Sequence, residues 1–198
     1  MGSKVHYPDP GGRSRSVIFI PLELPGAFII ELQRLQDHRG FFARTWCEEE
    51  FASNGLESKL VQCSVSFNEK PGTLRGMHYQ ASPHEDVKLV RCTMGSIHDV
   101  IIDLRPDSPA FMGHIAVALS AINRRMLYVP KGFAHGFQTL EERTEVFYQM
   151  SQPYVPTAGR GVRWNDPAFG IRWPINNPIM LERDRTYRDF RTEHVNAS

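Results

Sequence analysis

The sequence is short of the features that announce most function classes. Charge of either sign is not in excess. The formal net charge is +1 over 198 residues, too weak a field to draw the chain to nucleic acid or an anionic membrane. No apolar run approaches the ~20 residues that span a bilayer, and the opening "MGSKVHYPDPGGRSRS" has no apolar signal-peptide core. Cysteine is scarce. Cys47, Cys63 and Cys92 are an odd number with no CxxC spacing, which speaks against a disulfide framework and for buried thiols in a reducing compartment. No HxH or HxxxH pair occurs anywhere; a catalytic metal usually draws three protein ligands, so no metal is expected. Helical periodicity is rare too, with no 3.6-residue pattern beyond three turns. The expectation is a cytoplasmic protein with one domain over residues 16–190, a loose leader at 1–15 and a tail at 191–198.

What the chain does have is large, shaped side chains in short runs. Aromatic residues make up 11%, with 12 phenylalanines. Runs such as "VIFI" (17–20), "AFIIEL" (27–32), "LVQCSVSF" (60–67), "KLVRCTM" (88–94), "IHDVIIDL" (97–104), "HIAVAL" (114–119) and "EVFYQMS" (145–151) are β-branched and aromatic. Gly, Pro, Asn, Asp and Ser bound them. Gly95-Ser96, between two of these runs, predicts a two-residue hairpin turn with positive φ at its first position. "CEEEFASNG" (47–55), with acids first and a glycine last, predicts one short helix. Many strands with almost no helix predict two packed sheets, a sandwich or barrel. The charged stretch after Trp173 reads as an arm lying across the body.

"GTLRGMHYQ" (72–80) places His78 in an apolar run, open to three readings: a packed core residue, a metal ligand or a base. Arg75 stands three residues before it, so strict strand alternation puts the two on opposite faces. Either they do different jobs, or Gly76 marks a bulge that re-aims the chain, a feature common beside active sites. A second histidine, His135, sits in "YVPKGFAHGF". Phenols and carboxylates are available in Tyr148 and Asp184. A carboxylate on one imidazole nitrogen would leave the other free as a base.

These stretches, with "DHRGFFART" (37–45), "VPKGFAHGFQTL" (129–140), "RGVRWNDPAFGIRWP" (160–174) and "ERD" (182–184), resemble the dTDP-4-dehydrorhamnose 3,5-epimerases, cupins of nucleotide-sugar metabolism. The resemblance runs from about residue 26 to 190. It implies an all-β, cupin-type jelly-roll barrel of two antiparallel sheets with a few short helices, acting as a homodimer without cofactor. It implies that His78, paired with Asp184, is the base, Tyr148 the acid on the opposite face of the sugar, and Lys88 the cation near O4. Arg75 and His135 would hold sugar and diphosphate. Arg39, Gln62 and Tyr154 match nucleotide-side positions. The implied substrate is a dTDP-linked 4-keto-6-deoxyhexose inverted at C3 and C5. A single-centre epimerase or ketoisomerase, or a cupin that only binds, are the alternatives. Arg44 and Ser64 stand where many family members have Glu and Asn, and Leu181 where many have Ser. These departures fall around substrate binding and leave the catalytic set intact.

Overall fold

The computed structural model describes residues 16–191. The expected leader 1–15, and all of the expected tail except Arg191, lie outside the described residues. The chain order is β1 (Val17–Pro21), β2 (Phe28–Leu32), β3 (Leu35–Asp37), β4 (Gly40–Phe42), α1 (Glu48–Ser53), β5 (Gln62–Asn68), β6 (Leu74–Gln80) and β7 (Lys88–Met94). Then come β8 (Ser96–Asp103), β9 (His114–Ser120), β10 (Met126–Val129), β11 (Phe133–Thr139), β12 (Thr144–Met150), β13 (Gly159–Gly161) and α2 (Glu182–Arg185). A six-stranded sheet, β1-β2-β10-β7-β12-β5, faces a five-stranded one, β13-β6-β11-β8-β9, and β3-β4 form a small separate hairpin. All pairings between these strands are antiparallel. This is the expected two-sheet jelly roll.

The burial of each strand follows from its place. β8 and β11 are interior strands of the five-stranded sheet and covered on both faces, so burial runs along them almost without a break, through polar residues such as Asp99, His135 and Gln138 as well as apolar ones. One face of β8 gives Ile97 and Ile101 to the core between the sheets. The other gives Val100 and Ile102 to an outer layer with Val162 and Phe169 from the C-terminal segment. On the far side of the six-stranded sheet, α1 drops Phe51 onto Ile30, Leu89 and Met126.

β5 has the reverse of the usual pattern. Its polar residues, Gln62, Ser64 and Ser66, face inward to a cavity, while Val65 and Phe67 are 56% and 40% exposed on the outer face. A polar interior means that this end of the barrel is open for a ligand rather than filled by core.

The structure corrects two expectations. Gly95 has the positive φ foreseen, 74°, but β7 and β8 do not pair: they belong to different sheets. The turn carries the chain from one sheet to the other. A Cβ on Gly95 would lie 2.4 Å from Thr144 Oγ1, so the corner is packed as well as left-handed. The thiols are also not uniformly buried. Cys92 is buried, Cys47 half-buried and Cys63 exposed on the outer face of β5, because alternation turns every second β5 residue away from the cavity.

Candidate active site

A cavity of about 810 Å³ lies between the sheets at the β5, β6 end, bordered by the C-terminal segment that carries α2. Its two long walls come from different sheets. β6 and β11 supply Arg75, His78 and His135; β5, β7 and β12 supply Gln62, Ser64, Lys88 and Tyr148.

The bulge at Gly76 explains how Arg75 and His78 reach the same wall. Opposite β11, His78 pairs with His135 and Arg75 with Phe137, three steps on one strand against two on the other. The extra residue restores both side chains to the cavity and sends Met77 into the outer core instead. Gly76 has φ 126°, and a Cβ there would sit 2.5 Å from Gly136 Cα and 2.8 Å from the His135 carbonyl oxygen. Only glycine fits the crossing.

His78 is paired with Asp184 of α2: its Nε2 lies 2.9 Å from Asp184 Oδ1. The carboxylate is 2% exposed and accepts two further bonds, from the Gly76 N–H at 3.4 Å and Arg183 Nε at 3.2 Å. Burial alone would raise its pKa. The hydrogen bond and charge of His78, the Gly76 N–H and Arg183 outweigh it and hold the carboxyl below the usual range. An ionised carboxylate can only accept, so His78 Nε2 carries the proton and Nδ1 is left free.

Tyr148 stands on the opposite wall, mid-strand in β12, with its ring 6.2 Å from that of His135 and 6.4 Å from Phe137. Burial pushes its phenol well above the ordinary range, and the charge of Asp99 adds to this while Arg75 opposes it. The phenol is therefore a protonated donor at neutral pH. Lys88 opens β7, an interior strand between β10 and β12. Its Nζ lies 3.0 and 2.9 Å from the two oxygens of Asp86. His135 Nε2 contacts Asp99 Oδ1 at 2.6 Å, both fully inside the fold. Arg75 Nε donates to Asn68 Oδ1 at 2.7 Å. Gln62 Oε1 accepts from the Tyr154 N–H at 3.1 Å, and Tyr154 itself stands at the rim.

Two expected binding residues are not brought to this cavity. Arg39 pairs with Asp37 at 2.6 Å in the exposed β3-β4 hairpin. Arg44 is paired with Glu50 of α1, whose other oxygen accepts the Val17 N–H at 2.8 Å. Sequence reasoning missed Asp99, Asp86, Arg183 and Tyr187, all in or against the cavity. Asp99 had a usable signal: it is a lone acid inside "IHDVII" (97–102), a run otherwise fit for a buried strand. Among the described residues no three His, Cys, Asp or Glu side chains group as metal ligands, and no helix is long and apolar enough to cross a membrane.

The arrangement is that of an acid–base isomerase: a carboxylate-oriented imidazole on one wall, a protonated phenol on the other, and an ammonium beside them. Comparison with known proteins agrees. The sequence profile of dTDP-4-dehydrorhamnose 3,5-epimerase matches residues 21–192. The Shigella flexneri enzyme of that name is 39% identical over 172 residues, covering 86% of this chain and 94% of the relative. The Bacillus anthracis enzyme, solved with TDP and pyrophosphate bound, superposes with a TM-score of 0.85 at 38% identity, covering 88% of this chain and all of that one. The Legionella pneumophila enzyme, solved with dTDP-4-keto-L-rhamnose, gives a TM-score of 0.82 at 32% identity over 88% and 93% of the two chains. The chain belongs to the dTDP-4-dehydrorhamnose 3,5-epimerase family of isomerases.

Proposed function

We propose that the protein inverts C3 and C5 of dTDP-4-dehydro-6-deoxy-D-glucose to give dTDP-4-dehydro-L-rhamnose. The observation that carries this is the placement of the His78–Asp184 pair and the Tyr148 phenol on opposite sheets across one cavity. Protons on C3 and C5 are both α to the C4 ketone. His78 Nδ1 takes one proton, and the electron pair of the broken C–H bond moves to O4 as an enolate. The Lys88 ammonium stabilises that oxygen as its charge develops. Tyr148 returns a proton to the same carbon from the opposite face, the electrons flow back, and the centre is inverted. Asp184 holds the ring tautomer and stabilises the imidazolium that forms. The imidazolium then gives up its proton and the phenolate regains one, by exchange with water at the cavity mouth, and the same steps at the second carbon complete the reaction.

Arg75 presents its guanidinium to the diphosphate, whose oxygens match its planar fork. Gln62, Ser64, His135 and Tyr154 complete the binding wall. Arg39 and Arg44 take no part in the cavity of a single chain, and the mechanism does not use them. The test is to incubate protein and substrate and read the ring proton couplings of the product by NMR. The L-lyxo pattern of the dehydrorhamnose supports the proposal; a product that keeps the starting couplings overturns it.

A homodimer suits the outer face of β5 and β12. Val65, Phe147 and Arg91 lie in one cross-strand row there, and Phe67 is beside it. Arg91 Nε is buried with no hydrogen-bond partner. An exposed face with Val65 and Phe67 on it, and a buried Arg91 Nε that still lacks an acceptor, fits a second copy better than water. Free cysteines suit a reducing cytoplasm as the place of action.

A further inference from the structure

Asp86 is outside the acid–base set, yet it lines the same cavity. It is buried, stands two residues before Lys88, which opens β7, and puts both carboxylate oxygens within 3.0 Å of Lys88 Nζ. The Lys88 side chain is only 12% exposed. The backbone beside Asp86 is pinned in both directions to the end of β12: the Val87 N–H donates to Ser151 Oγ at 2.8 Å, and the Ser151 N–H to the Val87 carbonyl at 3.1 Å. The short, buried Asp86 side chain thus hangs from a fixed stretch of backbone, while the lysine reaches it on a long flexible stem.

A lysine ammonium has three donors on a stem of four carbons and no preferred fork. Left alone it would sample several directions in a cavity of this size. With one N–H donating to Asp86 Oδ1 and the second carboxylate oxygen against the same Nζ, the ammonium is held in one place and its remaining N–H donors are left for the cavity. We infer that Asp86 is the positioning residue of Lys88: it holds the ammonium so that one N–H faces the sugar oxygen that becomes negative. It rests on the epimerase reading for what Lys88 does, and on the ion-pair geometry for how Lys88 is held. The pair also explains how a cation can be stored in a half-dry wall before substrate arrives, since an unpaired one would be costly there.

The first measurement uses ligand-free protein labelled with ¹⁵N-lysine and a spectrum selective for slowly exchanging ammonium groups. Wild type shows a Lys88 signal, assigned by its absence in Lys88→Met. Asp86→Asn loses it, while Asp86→Glu retains part of it. Persistence of the signal in Asp86→Asn overturns the pairing.

The second measurement is deuterium uptake by the keto sugar. Asp86→Asn lowers the turnover rate roughly ten- to hundredfold, the scale of a small misplacement of a catalytic group, with KM within about twofold. In a Lys88→Met background Asp86→Asn has no further effect, because its action runs through Lys88. A further loss of similar size in that background means Asp86 acts elsewhere and overturns the inference. If wild type takes up no deuterium, the epimerase reading fails and the catalytic half falls with it. The ammonium spectrum then still decides whether Asp86 holds Lys88. Thermal unfolding of each variant separates these results from loss of fold.

Discussion

His78 Nε2 and Asp184 Oδ1 lie 2.9 Å apart although 106 positions separate the two residues in the chain. The C-terminal segment crosses the body to make this contact. Two backbone bonds fasten it beside β6: the Ile179 N–H donates to the Gly72 carbonyl, and the Leu74 N–H donates to the Ile179 carbonyl. The His78–Asp184 pair decides which imidazole nitrogen is free. Asp184→Asn would offer an amide N–H₂ as well as an oxygen, so the tautomer is no longer enforced. We expect turnover to fall about 10²- to 10⁴-fold, with dTDP binding nearly unchanged. Steady-state rates with calorimetric binding check this.

The same carboxylate predicts an acid limb of stability. Its folded pKa is depressed below the unfolded value. Its stabilisation is therefore complete above the unfolded pKa of about 3.9 and is lost as pH falls through the lower folded value. Wild type and Asp184→Asn should differ most in melting temperature near neutral pH and converge in strong acid. A difference that grows on acidification would contradict the assignment.

Gly76→Ala tests the bulge. The added Cβ would meet Gly136 Cα at 2.5 Å, with φ at 126°. The expected loss is roughly 2–4 kcal/mol from strain and overpacking, read by chemical denaturation. A variant of wild-type stability and activity would show that β6 can align Arg75 and His78 without the bulge.

The thiols report on packing and on assembly. Burial pushes the Cys92 thiol up to about 12, and its Sγ donates to the Met94 carbonyl. Maleimide should label Cys92 only after unfolding. Cys63 lies on the face proposed for dimerisation, so Val65→Asp should give a monomer by sedimentation and speed the labelling of Cys63. Unchanged mass and unchanged Cys63 reactivity would remove that face from the interface.

Much of this was legible residue by residue. β7 is "KLVRCTM" to the residue, because β-branched runs bounded by turn formers have little other way to fold. The odd spacing of Arg75 and His78 announced that something happens at Gly76. Other features were hidden for physical reasons. A positive φ at Gly95 is the same whether the chain turns within a sheet or crosses to another, so the hairpin expectation failed on topology. Asp99 was masked by the apolar run around it. The pairing of Asp184 with His78 was implied by the resemblance alone, since nothing local in a polar segment says that the fold lays α2 across β6. Arg39 and Arg44 carry the right chemistry for a nucleotide, and within one chain they pair with Asp37 and Glu50 outside the cavity.

The most direct measurement is position-resolved deuterium uptake from D₂O into dTDP-4-keto-6-deoxyglucose, for wild type, His78→Asn and Tyr148→Phe. Wild type should place label at C3 and C5, both on inverted carbons. His78→Asn should place none. Tyr148→Phe should still exchange at least one position without inversion, because the base survives on its own wall. Full labelling by His78→Asn, or inversion at a normal rate by Tyr148→Phe, would contradict a base and an acid facing each other across the two sheets.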